Sequence, residues 1–319
     1  MGSQYVIFMI IQTSDKTAIK PFVQNIYMPP PQSHKGHNGK VLIIGGSKLF
    51  HSASLWAAEI ATHFTDIVHY ASTKENNAIF HDLKTKFRNG MVVEQKDIPY
   101  YVEEDDAILL GPGMVRTEVK SEKFKEKSFD SLLNLEDEAE YSREITHYLL
   151  SHYPQKRFVI DAGALQMMDI DWLKLPQETP IITPHQLEFE RLFGVSLLDV
   201  SEEEKVQKVT EYARKYTCVI LLKAVVDYIS DGARVAVVKG GNQGLTKGGS
   251  GDILAGVTVS LRAKNDAFES AVIASYVEKM AADELSKTDG YWYNMEDLIH
   301  QIPKTFSQLV GQSVSRSVG

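Results

Sequence analysis

Short apolar runs separated by helix-like stretches recur along this chain and constrain its fold more than any other feature. Val-Leu-Ile-Ile at 41–44 stops at Gly45-Gly46, Ile-Val-His-Tyr follows at 67–70, and Ala-Ile-Leu-Leu at 107–110 stops at Gly111-Pro112-Gly113. Phe-Val-Ile at 158–160 runs into Asp161, Pro-Ile-Ile at 180–182 into Thr183, and Val-Ile-Leu-Leu at 219–222 into Lys223. Such unbroken apolar runs read as strands buried on both faces, as in a parallel sheet. The intervening stretches 54–63, 142–152 and 201–215 have helical spacing or helix-forming composition. The alternation predicts an α/β fold, a three-layer α/β/α sandwich around a mostly parallel central sheet. In open sheets of this kind ligands bind beyond the carboxyl ends of the strands, so the glycines and polar residues that follow each run should converge there.

Other segments are read more coarsely. Residues 229–238 look like a hairpin turning at Ser230-Asp231-Gly232. Residues 116–141 are charged and lack a clear apolar stripe, which suggests a surface insertion, helical in part. The acidic runs at 103–106 and 202–204 read as solvated helix ends, the second behind Ser201 as a cap. Residues 1–32 form an N-terminal arm ending at Pro29-Pro30-Pro31, and 33–319 form one domain. The apolar run Tyr-Val-Ile-Phe-Met-Ile-Ile at 5–11 is too short to span a bilayer. No basic residue precedes it and no small-residue cleavage pattern follows, so an added edge strand or a start-site extension is expected rather than a secretory signal.

At 319 residues the chain can bury a sizeable core. A net charge of −8 and an isoelectric point near 5.7 argue against a protein built to hold nucleic acid. A single cysteine, Cys218, rules out an intrachain disulfide and fits a reducing, cytoplasmic setting. Its place in a strand-like run suggests a structural thiol rather than a nucleophile.

The segment with the most chemical content is 244–256, Gly-Leu-Thr-Lys-Gly-Gly-Ser-Gly-Asp-Ile-Leu-Ala-Gly. Glycines let backbone N–H groups approach an anion closely, and a helix starting behind them adds the positive end of its dipole. Asp252 then stands where a carboxylate can take a proton from a hydroxyl that attacks a phosphate. Thr183-Pro184-His185-Gln186 reads as a helix start with Thr183 as N-cap, Pro184 at the first helical position and Gln186 three residues after the cap. It leaves His185 and Glu188 at a strand end facing the cleft. Glu188 is the candidate ligand for a magnesium ion, held through water. Asp161 follows another strand and is equally suited to binding substrate hydroxyls, approaching the metal, or capping the next helix. Lys223 either approaches nucleotide phosphates or stays on the rim.

Taken in order, Lys35-Gly36-His37-Asn38-Gly39, Gly45-Gly46-Ser47, Gly111-Pro112-Gly113, residues 161–165, Thr183-Pro184-His185 with Glu188, Lys223, and Gly241-Asn242 leading into 248–252 resemble the ADP/ATP-dependent NAD(P)H-hydrate dehydratases of the ribokinase-like superfamily. The resemblance covers roughly residues 33–310. It implies an enzyme that restores NADH and NADPH from the hydrates NADHX and NADPHX, using ADP (or ATP) as phosphate donor with Mg2+. By motif position, Asp252 would be the base and Gly249, Ser250 and Gly251 the anion cradle. Ala53, Gly113, His185 and Asp252 would contact the hydrated dinucleotide. Lys223, Ala224, Val225, Val226, Asp227 and Gly251 would contact the adenine nucleotide. The resemblance further implies a homo-oligomer without a nucleic-acid or membrane partner, and a dehydratase lacking the epimerase domain of fused relatives, so that epimerisation would fall to another chain. Ser52-Ala53 stands where Gly-Ala is usual, Ala224 follows the lysine where Gly is usual, His63-Phe64-Thr65-Asp66 replaces a glycine-rich stretch, and Gly113-Met114-Val115 lacks a second glycine. The rival readings are a ribokinase-like kinase of a small alcohol or vitamin precursor, and a nucleotide-binding paralogue without catalysis. His185, in place of the kinases' more frequent Asn, separates the first rival, and Asp252 the second.

Overall fold

The computed structural model describes residues 6–117 and 127–314. Its ten strands are β1 (Ile7–Gln12), β2 (Lys40–Ile44), β3 (Ile67–Ala71), β4 (Met91–Val93), β5 (Ala107–Leu110), β6 (Arg157–Ile160), β7 (Ile181–Ile182), β8 (Val219–Leu222), β9 (Asp227–Ser230) and β10 (Arg234–Lys239). They form one sheet in the order β1-β10-β9-β8-β7-β6-β5-β2-β3-β4. Only β9 runs against its neighbours, as the return limb of the hairpin between β8 and β10. The strand order reverses between β2 and β5: the chain first builds outward to β4, then continues from β5 on the other side. A cleft opens beyond the carboxyl ends of the strands at such a reversal.

Helices cover both faces. One layer holds α1 (Lys20–Gln24), α2 (Ser52–Ala61) and α3 (Lys74–Leu83). It continues with α10 (Ser250–Arg262), α11 (Ala267–Asp289) and α12 (Met295–Val314). The other holds α4 (Ile98–Glu104), α5 (Phe129–Leu132), α6 (Glu138–His152), α7 (Ala162–Met167), α8 (Gln186–Phe193) and α9 (Glu202–Tyr216). Because a strand alternates sides at every residue, Val41 and Ile43 of β2 pack into the first layer and Leu42 and Ile44 into the second. This is why the strand sequences are apolar without alternation. The chain is thus the three-layer α/β/α sandwich that its sequence implies.

The sheet holds one strand that the sequence did not show, and its edge is taken by the apolar run expected as an added edge strand. β4 has three residues, too few to register as a strand in the sequence. β1 pairs in parallel with β10, from Ile7 opposite Arg234 to Gln12 opposite Lys239. The apolar arm therefore extends the sheet, and Thr13 Oγ1 donates to Asp283 at 2.6 Å to fix the chain as it leaves. In the charged stretch 116–141, residues 118–126 fall outside the described residues. The last four form the first turn of α6, where Asp137 accepts from the N–H groups of Ala139 and Glu140.

The loops above the sheet interlock through close backbone contact. Gly111 has φ +121°, and a Cβ there would lie 1.8 Å from the Asp161 carbonyl oxygen, so the β5 and β6 loops can meet only at a glycine. Gly111→Ala should therefore lower stability by about 2 kcal/mol or more. Gly248→Ala, whose added Cβ would meet nothing within 4 Å, should change it by less than about 0.5 kcal/mol. Urea unfolding of both variants checks the contrast.

Candidate active site

The signatures after β6, β7 and β8 meet in one buried polar cluster. Lys223, just past β8, places Nζ 2.6 Å from Asp161 Oδ1, just past β6. Thr183 Oγ1, just past β7, donates to the same oxygen at 2.7 Å. The strand ends are locked by a parallel bridge between His185 and Lys223, in which the Lys223 N–H donates to the Pro184 carbonyl at 2.8 Å. Asp161 occupies the N-cap position of α7, yet its side chain makes no capping bond. Its carboxylate is engaged by Lys223 and Thr183 instead. The next residue, Ala162, has φ +44°, a strained setting for a side chain of this hand.

The start of α8 differs from the sequence expectation. The N-cap is His185, not Thr183: His185 Nδ1 accepts from the Glu188 N–H at 3.2 Å, and Glu188 Oε2 accepts from the His185 N–H at 2.8 Å. The cap falls two residues later because the Thr183 hydroxyl is drawn to buried Asp161. Glu188 is buried, and Gln166 Nε2 donates to its Oε1 at 2.7 Å. His185 keeps about half of its side chain exposed to the cleft.

Opposite this cluster, β10 leads through Gly240-Gly241-Asn242 and a tight turn into α10. Asn242 Oδ1 accepts from the Gly244 N–H and from Tyr293 Oη, both at 2.9 Å, and its Nδ2 donates to the Ala282 carbonyl at 2.7 Å, which pins the turn to α11. Gly249 caps α10 with φ +109°, and a Cβ there would lie 2.5 Å from the Trp56 ring. No side chain caps α10. The positive end of the helix dipole therefore meets the cavity at Gly251 with no side chain over it. The Ser250 hydroxyl turns back to donate to the carbonyls of Leu245 and Lys247 at 2.8 and 3.2 Å. The Ser250 N–H also donates to the Lys247 carbonyl at 3.4 Å, so Ser250 shapes the loop with side chain and backbone alike.

Asp252 sits in the first turn of α10. Burial, with the carboxylates of Asp161 and Glu188 adding to it, pushes its pKa up to about 7 against the pull of Lys223. A base poised near neutral pH is what proton abstraction from a hydroxyl requires. Lys223 shows the reverse: burial opposes its charge, but Asp161, Glu188 and Asp252 outweigh burial and hold its pKa above the ordinary lysine value.

A cavity of about 570 Å³ adjoins Gly251 and Lys223. Lys223, Ala224, Val225 and Asp227 line it, Val225 as an exposed rim residue. Val226 does not, because its side chain packs into the core on the α9 side of the sheet. Buried Asp227 braces the loop: it accepts from the Ala224 N–H at 2.9 Å and from Ser275 at 2.7 Å, and lies 3.3 Å from Lys279 Nζ. Elsewhere at the cleft Ala53 and Gly113 come together, a Cβ on Gly113 falling 3.2 Å from that of Ala53. Sequence reasoning missed Thr183 as a partner of Asp161, and it missed Gln166, Lys279 and Glu278. The last two carry a signal, a charged pair inside the apolar helical run 271–282. Cys218 is buried, and burial pushes its thiol up to about 12, in keeping with a structural thiol.

Among the described residues no group of three or more His, Cys, Asp or Glu side chains is arranged to hold a metal ion. No helix among them is long and apolar enough to cross a membrane.

Residues 41–304 match the family model described as NAD(P)H-hydrate dehydratase. The chain is 34% identical to the bifunctional NAD(P)H-hydrate repair enzyme of Methanocaldococcus jannaschii over 85% of this chain and 48% of that one. It thus spans about half the length of such bifunctional relatives. It is 28% identical to the ADP-dependent (S)-NAD(P)H-hydrate dehydratase of Nitrosopumilus maritimus, over 85% of this chain and 89% of that one. Among solved structures, the ADP/ATP-dependent NAD(P)H-hydrate dehydratase of Bacillus subtilis, co-crystallised with ATP and Mg2+, superposes with a TM-score of 0.75 at 20% identity, covering 95% and 99% of the two chains.

The raised pKa of Asp252 has a consequence for stability. A carboxyl that is harder to ionise in the folded chain than in the unfolded one contributes stability below its unfolded value of 3.8, and loses it as pH rises toward about 7. Asp252→Asn should therefore melt at the same temperature as the parent near pH 3.5 and progressively higher as pH rises to about 7. Thermal melts across that range check the divergence.

Proposed function

The chain belongs to the NAD(P)H-hydrate dehydratase family, and from that premise we propose that it is an ADP-dependent (S)-NAD(P)H-hydrate dehydratase, returning NADHX and NADPHX to NADH and NADPH. The observation that carries the reading is the pairing of a base near neutral pH, Asp252, with an uncapped helix N-terminus in the same turn. In the proposed reaction Asp252 removes the proton of the hydrate hydroxyl. The freed oxygen attacks the terminal phosphorus of ADP, and AMP departs. The N–H groups around Gly249, Ser250 and Gly251 hold the charge on the transferring phosphoryl group. Phosphate then leaves the nucleotide together with a proton from the neighbouring carbon, and the double bond of the reduced nicotinamide is restored. Hydroxide leaves poorly and phosphate well, so the phosphoryl group serves only to be expelled.

Ala53 and Gly113, which lie side by side, and His185 would contact the hydrated nicotinamide nucleotide. Lys223, Ala224, Val225, Asp227 and Gly251 line the cavity where ADP would lie, with Val226 packed behind them. The Lys223 ammonium, tied to Asp161, sets the field at Asp252 rather than serving as a free phosphate ligand. Each Glu188 oxygen accepts one hydrogen bond and keeps a second lone pair, so the carboxylate would help to hold a magnesium ion through water beside the nucleotide phosphates. Magnesium bound there would neutralise charge on the phosphates. A cytoplasmic setting, a homo-oligomeric state and the boundary between arm and domain at residue 32 belong to the same reading.

Protein supplied with ADP, magnesium and chemically prepared NADHX should regenerate the absorbance of NADH; no recovery with ADP or ATP from folded protein contradicts the proposal. Asp252→Asn should bind ADP as the parent does yet lose about 10²–10⁴-fold in kcat. A variant turning over at the parent rate would remove Asp252 as the base.

A further inference from the structure

One polar side chain in the cavity is left without a partner. Glu278, on α11, is 5% exposed and lines the same cavity as Lys223 and Gly251, and its Oε1 has no hydrogen-bond partner. The other buried polar side chains of that wall are engaged. Asp227 is held by Ala224, Ser275 and Lys279. Lys279 Nζ donates to the carbonyls of Ala224 and Val225 at 3.2 and 3.1 Å. Ser250 and Asn242 close their own loop. A buried carboxyl with an orphaned oxygen weakens a fold, and it is tolerated where a ligand supplies the missing partner.

The part of a nucleotide that could supply it is narrowed by donor chemistry. The N-terminus of α10 at Gly251 fixes the phosphate end of the cavity, and ionised phosphate oxygens have no proton to offer an acceptor. The nucleoside half carries the donors instead: ribose hydroxyls, and the exocyclic amine of adenine. Burial and the nearby Asp227 carboxylate push the Glu278 carboxyl up to about 8, against the pull of Lys279 and Lys223. Near neutral pH the free protein therefore holds it largely uncharged, and it can accept a hydrogen bond without setting a full negative charge in a cavity that also receives phosphates.

We propose that Glu278 is a specificity-determining residue of the nucleotide cavity, accepting a hydrogen bond from a ribose hydroxyl or the base amine of the phosphate donor. The proposal rests on the reading of this cavity as the ADP site. Its test is direct binding of ADP, the 2′- and 3′-deoxy analogues of ADP and inosine diphosphate to the parent, Glu278→Gln and Glu278→Leu, with melting temperatures measured without nucleotide. The parent should bind either a deoxy analogue or inosine diphosphate at least about tenfold more weakly than ADP, the weaker one showing which donor Glu278 receives. Glu278→Leu should lose a similar factor for ADP and no longer discriminate against that analogue, while melting no lower than the parent. Glu278→Gln, which keeps an acceptor oxygen, should retain most of the affinity. Unchanged ADP affinity in Glu278→Leu, intact discrimination in that variant, or equal binding of all the nucleotides by the parent would overturn the proposal. Those outcomes leave the dehydratase reading standing if the parent still regenerates NADH with ADP; a parent that binds no ADP removes both.

Discussion

The Lys223 ammonium is the group on which the carboxyl ends of the strands depend. It pairs with Asp161 at 2.6 Å, and the fields of Glu188 and Asp252 also reach it. Three carboxylates close together would repel one another and could not all remain ionised without a cation among them. A buried pair of this kind adds little net stability, yet losing one partner leaves a buried charge uncompensated. The arrangement is therefore best understood as a means of setting charge. Asp161 holds Lys223 protonated, and the cluster as a whole leaves Asp252 titrating near 7.

The sheet puts these groups in place. β6, β7 and β8 are adjacent and parallel, so Asp161, Thr183 and Lys223 emerge side by side at one edge of the sheet. The reversal between β5 and β2 opens the cleft next to them. α10 brings its N-terminus up to the same level, with Gly249 fitted against Trp56 on α2. Rigid strands thus hold the electrostatic cluster, and a glycine-lined helix start forms the proposed anion site. The loop between β8 and β9 is fastened by Asp227 and Lys279, which leaves Lys223, Ala224 and Val225 lining the cavity.

Much of this was legible in the residues because burial on both faces writes itself into strand composition, and because glycines and acids cluster directly after those strands. What escaped was set by contacts distant in sequence. The cap of α8 moved from Thr183 to His185 because Asp161, 22 positions before Thr183, claims its hydroxyl. The pairing of Asp161 with Lys223 spans 62 positions and leaves no local trace. Val226 sits within a loop that otherwise faces the cavity, and only the turn of the backbone sends it into the core. The N-terminal run was visibly strand-like, but its parallel partner, β10, lies more than two hundred residues away.

The dependence of the proposed turnover on an ionisation set by burial and neighbouring charge together follows from this cluster. It is tested most directly by the pH dependence of kcat/KM for NADHX in the parent and in Asp161→Asn. In the parent, activity should rise with pH along a limb centred near 7, where Asp252 titrates. Removing the Asp161 charge takes away a repulsion and frees Lys223 to favour ionised Asp252, so the limb should move to lower pH in the variant. A limb that stays in place, or moves upward, would contradict the account.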